Sequence, residues 1–236
     1  MRTLVKDPKQ MKFDETADAG GDTYRQEPKF RYAEDIFEGA RLLNVGSWTG
    51  DFESLAAGRA AEVTGLDVEA KALEVARRRN PGVEFVEASV FDMPFEDGAF
   101  DAVTLFDVIE HIPAGTEAKA LAEVARVLKP GGCLALSTPG GSLRSRLLDP
   151  AWLLTGHRHY SSEEIGRMLA DAGFTVTSSE VLGSWLYVYD YLSLYVWKYL
   201  VRRPQRHDAK YESKFIEDSL RKGFVTLFVT ARRNES

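Results

Sequence analysis

The residues best suited to chemistry begin at Asn44-Val45-Gly46-Ser47-Trp48-Thr49-Gly50, an apolar strand end running into a glycine turn. Glycines at 46 and 50 let the backbone turn sharply and approach a ligand closely. The helix that follows offers free N–H groups to a polar ligand. Asp67 lies 21 residues past Gly46, at the end of Gly65-Leu66-Asp67-Val68. That is close to the roughly 20-residue spacing at which a carboxylate meets ribose hydroxyls. A carboxylate can accept both hydrogen bonds of a vicinal diol. The same pattern describes nicotinamide and flavin sites, and a tight turn with no ligand, so by itself it leaves the cofactor open.

The histidines are His111, His157, His159 and His207. His111 follows the fourth expected strand, and His157 and His159 sit in Gly156-His157-Arg158-His159-Tyr160, just before a well-marked helix start. Each can act as a general base or can serve structure by capping a helix or tying a loop. No Cys/His/Asp group has metal-ligand spacing along the chain, so no metal is expected.

These residues need strands and helices to position them, and the chain alternates the two. Strands are expected at Arg41–Val45, Glu62–Leu66, Val83–Glu87, Phe100–Phe106, Cys133–Ser137, Phe174–Val181 and Phe224–Ala231. Helices are expected near Tyr32–Phe37, at Phe52–Ala60 and Glu69–Arg79, and through Leu121, Val124, Ala125 and Leu128, with Lys129-Pro130-Gly131-Gly132 as the stop. Ser161 and Glu164 form a capping box, Tyr160 and Ile165 occupy the hydrophobic-staple positions, and Gly173 caps that helix. The expected fold is α/β: a Rossmann-like, mostly parallel seven-stranded sheet with helices on both faces and an antiparallel last strand. Ligands of such sheets bind beyond the carboxyl ends of the strands, where the strand order switches.

With 236 residues the chain suits one domain. It divides into an N-terminal arm and short helix (1–38), a donor-binding core (39–182), an aromatic helical insertion or lid (183–222), and a last strand and tail (223–236). Hydrophobic residues make up 44%, enough for a sizeable core. The net charge of −6 opposes a nucleic-acid partner, although Lys198–Ser236 is locally basic, with ten Lys/Arg against five Asp/Glu. Cys133 is the single cysteine, expected as a small buried apolar group. With no internal disulfide to form and no signal-like stretch at the N-terminus, a cytoplasmic location is expected.

In the order LLNVGSWTGDF, GLDVEAKALEVAR, VFDMPFEDGAFDAV, DVIEHI and RVLKPGG, over about residues 31 to 182, the sequence resembles class I S-adenosylmethionine-dependent methyltransferases. The resemblance is greatest to the small-molecule group that includes ubiquinone-pathway O-methyltransferases and methyltransferases of glycan clusters. It implies S-adenosylmethionine as cofactor. Gly46, Ser47, Trp48 and Gly50 would lie against its methionine part, Asp67 with Val68 at the ribose, and Ser89 and Val90 at the adenine. Phe106 would lie beside the transferable methyl group. Arg31 is the candidate for the methionine carboxylate, since guanidinium binds carboxylate bidentately. His111 and His157 are the candidate catalytic bases. The chain departs from the family pattern at Asn44, where an acid is usual, at Trp48, where a glycine is usual, and at Ser89, where Asp is usual. Two readings of Trp48 follow: it covers donor or substrate, or the chain is an inactive binding subunit. A nicotinamide-dependent oxidoreductase is the enzymatic alternative.

The segment VLGSWLYVYDYLSLYVWKYLVRR, residues 181–203, is rich in Trp and Tyr and interrupted by Asp190 and Lys198, a poor membrane span. It reads as a helix packed on the domain or in a homodimer interface. It also reads as a lid over an apolar acceptor, or as an interfacial helix with Arg202, Arg203 and Arg206 at lipid headgroups. The expected acceptor is a small or lipid-linked hydroxyl compound.

Overall fold

The computed structural model describes residues 23–149, 152, 156–201 and 207–235. Strands β1 (Arg41–Val45), β2 (Glu62–Asp67), β3 (Glu84–Glu87), β4 (Phe100–Phe106), β5 (Leu128–Pro139), β6 (Phe174–Leu182) and β7 (Thr226–Arg233) form one sheet in the order β3-β2-β1-β4-β5-β7-β6. Its pairs are parallel except that β7 runs antiparallel to both β5 and β6. The expected Rossmann-like sheet with a reversed last strand is therefore the observed one.

Side-chain alternation splits the core into two layers. Leu42, Ala102 and Ala135 pack on one face with Phe30 and Phe37 of α1 (Thr23–Phe37) and Phe52 of α2 (Asp51–Ala56). Their chain neighbours Leu43, Val103, Leu134 and Leu136 pack on the other. There they meet Leu121 and Val124 of α4 (Glu117–Val127) and Ile165 and Leu169 of α6 (Ser162–Asp171). Helix α3 (Ala70–Arg79) lies between β2 and β3 in the chain, and α5 (Leu143–Leu148) follows β5.

Several boundaries differ from the sequence reading. Helix α1, described over Thr23–Phe37, occupies part of the expected irregular arm and holds Pro28 inside it. Helix α2 stops at Ala56. Lys129–Gly132 is a bulge inside β5: Leu128 pairs with Phe100, and pairing resumes at Cys133 and Ala102. Of the expected α4 stripe, Leu121 and Val124 are buried and Ala125 half-buried, while Leu128 is buried as the first residue of β5, the helix ending at buried Val127. Cys133 is partly exposed rather than buried. At α6 the capping box is present: Ser161 Oγ accepts from Glu164 N, and Ser161 N donates to Glu164 Oε2.

The aromatic segment forms α7 (Trp185–Tyr195), continued by a π-helix (Val196–Val201), and α8 (Ala209–Ser219) follows. Leu182 of β6 stands opposite Thr226 of β7, so residues 183–225 leave the sheet and return to it at one point. Asp190 is buried and accepts from Arg25 Nε at 2.8 Å, Tyr24 Oη at 3.1 Å and Tyr211 Oη at 2.9 Å. The charge that spoils a membrane span thus pins α7 to α1 and α8. Among the described residues, no helix is long and apolar enough to cross a membrane. Arg202, Arg203 and Arg206 lie outside the described residues.

Candidate active site

A cleft of about 430 Å³ opens at the carboxyl ends of β1, β2 and β4, beside the switch in strand order. The sequence places its two ends. At the first, Gly46, Trp48, Asp67, Val68, Ser89, Val90 and Phe106 line the wall. At the second stand His111, His157, His159, Asp149 and Glu110.

The glycine turn fits a ligand lying against backbone. Gly46 has φ +86°, and a Cβ there would meet Val108 Cγ2 at 2.4 Å. Gly50, at φ +77°, sits outside the cleft as the residue before α2, packed on Asn80 and Ala76. Ser47 is buried, and its Oγ has no hydrogen-bond partner among the described residues. Trp48 adopts φ +47°, a left-handed conformation that costs an L-residue energy. Asp67 Oδ2 accepts Trp48 N–H at 2.9 Å, and its Oδ1 accepts Glu69 N–H at 2.9 Å. Burial pushes the Asp67 carboxyl up, against these two donors.

Asn44, where the family pattern has an acid, sits in a buried hydrogen-bond chain. Thr104 Oγ1 donates to Asn44 Oδ1 at 2.8 Å, and Asn44 Nδ2 donates to Glu53 Oε1 at 2.7 Å. Glu53 is fully buried, and that burial raises its carboxyl to about 8. Ser89 is committed locally, its Oγ accepting from Phe91 N at 3.3 Å.

Arg31 is not in the cleft. It pairs with Glu27 at 2.9 Å, is half exposed, and lines a separate depression with Glu212 and Glu217. Two residues along a helix rotate a side chain by about 200°, so Lys29 faces the cleft instead. Its Nζ lies 2.7 Å from Asp107 Oδ2. Burial would raise the Asp107 carboxyl, but Lys29 and the Ser137 hydroxyl outweigh it and hold it below the ordinary range. The sequence reading missed Lys29, Asp107, Asp149 and Glu110. Lys29 was separable from Arg31 only by helical phase.

The second end joins three separate segments. His157 Nδ1 lies 2.8 Å from Asp149 Oδ2, and His157 Nε2 lies 3.3 Å from His111 Nε2. Arg158, between the two histidines, turns the other way. It donates to the carbonyls of Ile109, Glu110 and Ile112 and to Glu117 Oε1, clamping the two loops together. Burial pushes His111 down to about 4, with the neighbouring His157 adding to the effect, so its ring is neutral. Burial also raises Glu110 well above the carboxylate range, and the Asp107 charge adds to it. Glu110, His111 and His157 form one triplet with donor atoms within 4.8 Å, and Asp149, His157 and His159 form another. Such sets are able to hold a divalent cation. Chain spacing hides both because each is assembled by the fold.

Tyr187, Val188, Tyr191 and Phe224 form an apolar wall between α7 and β7.

A family model described as a methyltransferase domain matches residues 43–136. The demethylmenaquinone methyltransferase of Clavibacter sepedonicus is 40% identical over 107 residues, 43% of each chain. The ubiquinone/menaquinone biosynthesis C-methyltransferase of Brucella anthropi is 44% identical over 107 residues, 40% of each chain. The chain thus spans less than half the length of these relatives. Among solved structures, the geranyl diphosphate C-methyltransferase of Streptomyces coelicolor A3(2), bound to Mg²⁺, geranyl diphosphate and S-adenosyl-L-homocysteine, superposes with a TM-score of 0.63. It is 18% identical, with 89% of this chain and 78% of that chain covered, and shows the fold alone. Residues 43–136 thus match a methyltransferase domain, and the chain as a whole shares the fold of a solved methyltransferase.

Proposed function

We propose that the protein binds S-adenosylmethionine at the glycine-turn end of the cleft and methylates a hydroxyl of a small or lipid-linked acceptor held at the histidine end. One observation carries this reading: the two ends line the same cleft. The donor, when bound, supplies an activated methyl group. The chain's own task is then to orient donor and acceptor and to remove a proton. Gly46 leaves room for the donor, Asp67 is placed for its ribose, and Lys29 is the cleft cation available to a carboxylate. His111 receives the acceptor proton and passes its own Nε2 proton to His157, whose positive charge then rests beside Asp149.

The apolar wall of Tyr187, Val188 and Tyr191 suits an acceptor with an apolar part. Outside it, Trp185, Tyr189, Leu192, Val196 and Leu200 are exposed at helical spacing along α7 and the π-helix. Leu143 and Leu147 of α5 are exposed too. This surface favours peripheral contact with a lipid layer, from which a lipid-linked acceptor would enter.

The name of the Brucella anthropi relative favours a second reading, C-methylation of an acceptor that bears the hydroxyl. Proton removal from that hydroxyl would serve either outcome. Calorimetric titration with S-adenosylhomocysteine and with NAD tests the donor, and NAD binding alone sinks the reading. Acceptor screening with product analysis by NMR separates O-methyl from C-methyl.

A further inference from the structure

At the histidine end of the cleft one polar atom stands unaccounted for. The Glu110 side chain is fully buried. Thr138 Oγ1 donates to its Oε2 at 3.1 Å, while Oε1 has no hydrogen-bond partner among the described residues. Buried polar atoms are rarely left unpaired, so an orphan in a cleft wall points to a group that binds there. Oε1 lies 3.8 Å from His157 Nε2, and that nitrogen lies 3.3 Å from His111 Nε2. A shared proton joins the two nitrogens and leaves the carboxyl oxygen as it is. A shared cation satisfies all three atoms.

The separations fit a cation. Ligand atoms about 2.0–2.2 Å from one tetrahedral ion stand about 3.3–3.6 Å apart. The nitrogen pair falls in that span, and the oxygen just beyond it. The second triplet does not fit. Asp149 Oδ2 lies 2.8 Å from His157 Nδ1 and 2.9 Å from His159 Nε2, which are hydrogen-bond separations. Asp149 instead supports the His157 ring from behind, as a carboxylate commonly does for a ligating histidine. Two imidazoles with one carboxylate suit Zn²⁺ and its first-row neighbours, whereas Mg²⁺ and Ca²⁺ take oxygen ligands.

The fold keeps these ligands together. Glu110 and His111 share the turn after β4, where His111 N donates to Val108 O at 2.9 Å. His157 arrives from a segment 46 residues further on, which is why chain spacing gives no metal signal. Arg158 ties that segment to the turn through the carbonyls of Ile109, Glu110 and Ile112. All three ligands line the cleft, which gives a cation its entry.

We propose that Glu110, His111 and His157 form a Zn²⁺ site in the cleft wall, whose filling shuts down the histidine proton relay by taking both Nε2 lone pairs. The site stands apart from the proposed reaction; the shut-down rests on the reading of His111 as the acceptor's base.

The test titrates the untagged, metal-free full chain with Zn²⁺ by calorimetry and with Co²⁺ by visible absorption. Expected is saturable binding with micromolar or tighter Kd, Zn²⁺ displacing Co²⁺, and no competition from millimolar Mg²⁺. Glu110→Gln and His157→Gln should each weaken Zn²⁺ binding by about 100-fold or more, beyond the roughly 10–100-fold seen for residues that only support a ligand. His159→Gln should weaken it by less than about tenfold. Side-chain ¹⁵N NMR of the unaltered chain covers variants that fail to fold: Zn²⁺ should move the Nε2 resonances of His111 and His157. Absence of saturable binding overturns the proposal, as does a folded Glu110→Gln that binds as tightly as the parent. So does Zn²⁺ that moves the His159 nitrogens and leaves His111 untouched. With an acceptor in hand, turnover should fall as Zn²⁺ fills the site, at the Kd read by calorimetry; turnover that rises with filling overturns the shut-down. A chain that binds Zn²⁺ as expected but methylates no acceptor supports the site and overturns the functional reading.

Discussion

Asp67 accepts the backbone N–H of Trp48 at 2.9 Å, so the carboxylate proposed to meet the ribose also holds the loop in its left-handed turn. Removing the carboxylate should therefore act twice. Asp67→Ala is expected to weaken S-adenosylhomocysteine binding by about 1.5–3 kcal/mol and to lower the melting temperature. Calorimetry and thermal unfolding read the two effects, and unchanged affinity on an intact fold refutes the ribose placement.

Trp48→Gly relieves the left-handed φ and should stabilise the fold by about 1 kcal/mol. If the indole covers the ligand, donor affinity falls despite that gain. If affinity holds or tightens, the indole serves the donor not at all.

Lys29 and Arg31 make a paired control. Lys29→Met should weaken S-adenosylhomocysteine binding about tenfold, roughly 1.4 kcal/mol, the scale of one charge-assisted hydrogen bond. Arg31→Ala, with its side chain outside the cleft, should change it less than twofold. Equal effects of the two changes contradict the placement.

Glu53 makes stability depend on pH. Its carboxyl titrates near 8 in the fold, above the 4.5 of a free side chain. Between those values the unfolded chain loses the proton that the native state keeps, so stability falls as pH rises through that window. Glu53→Gln should flatten this slope and raise stability at pH 8, on the order of 1–3 kcal/mol. Denaturant melts from pH 5 to 8 check it, and a wild-type slope already flat removes the premise.

The outer stripe can be tested apart from the cleft. Leu192, Val196 and Leu200 are 41%, 50% and 80% exposed, so serine at all three should leave the melting temperature unchanged. Co-sedimentation with anionic lipid vesicles is expected to drop at least severalfold. Unaltered co-sedimentation, or none in the parent chain, refutes lipid contact.

Strand positions were legible because β1, β2 and β4 are short apolar runs bounded by turns, a pattern that burial on both faces imposes. The glycine turn and Asp67 were legible because a local turn and a fixed spacing carry them. Of helix α1 only the end at Tyr32–Phe37 was legible: Pro28 and its many charges hide the rest of a helix whose formation rests on Phe30, Ala33 and Phe37 reaching the sheet. The Asp149–His159 contact was equally hidden. Local sequence brings His157 and His159 to the same side, but β5, β7 and α5 decide what they meet there.

The single-point departure and return at Leu182 and Thr226 bears on how such enzymes diversify. A segment whose two ends are hydrogen-bonded neighbours can be lengthened, shortened or exchanged without moving the strands that flank it. Residues 183–225 carry much of the apolar wall, whereas Gly46 directly follows β1, and Asp67 and Phe106 end β2 and β4, strands that such an exchange leaves in place. On the proposed reading, the architecture is a fixed donor chassis with a replaceable acceptor cassette. Transplanting the corresponding segment between relatives is then a route to new acceptor preference at constant donor affinity.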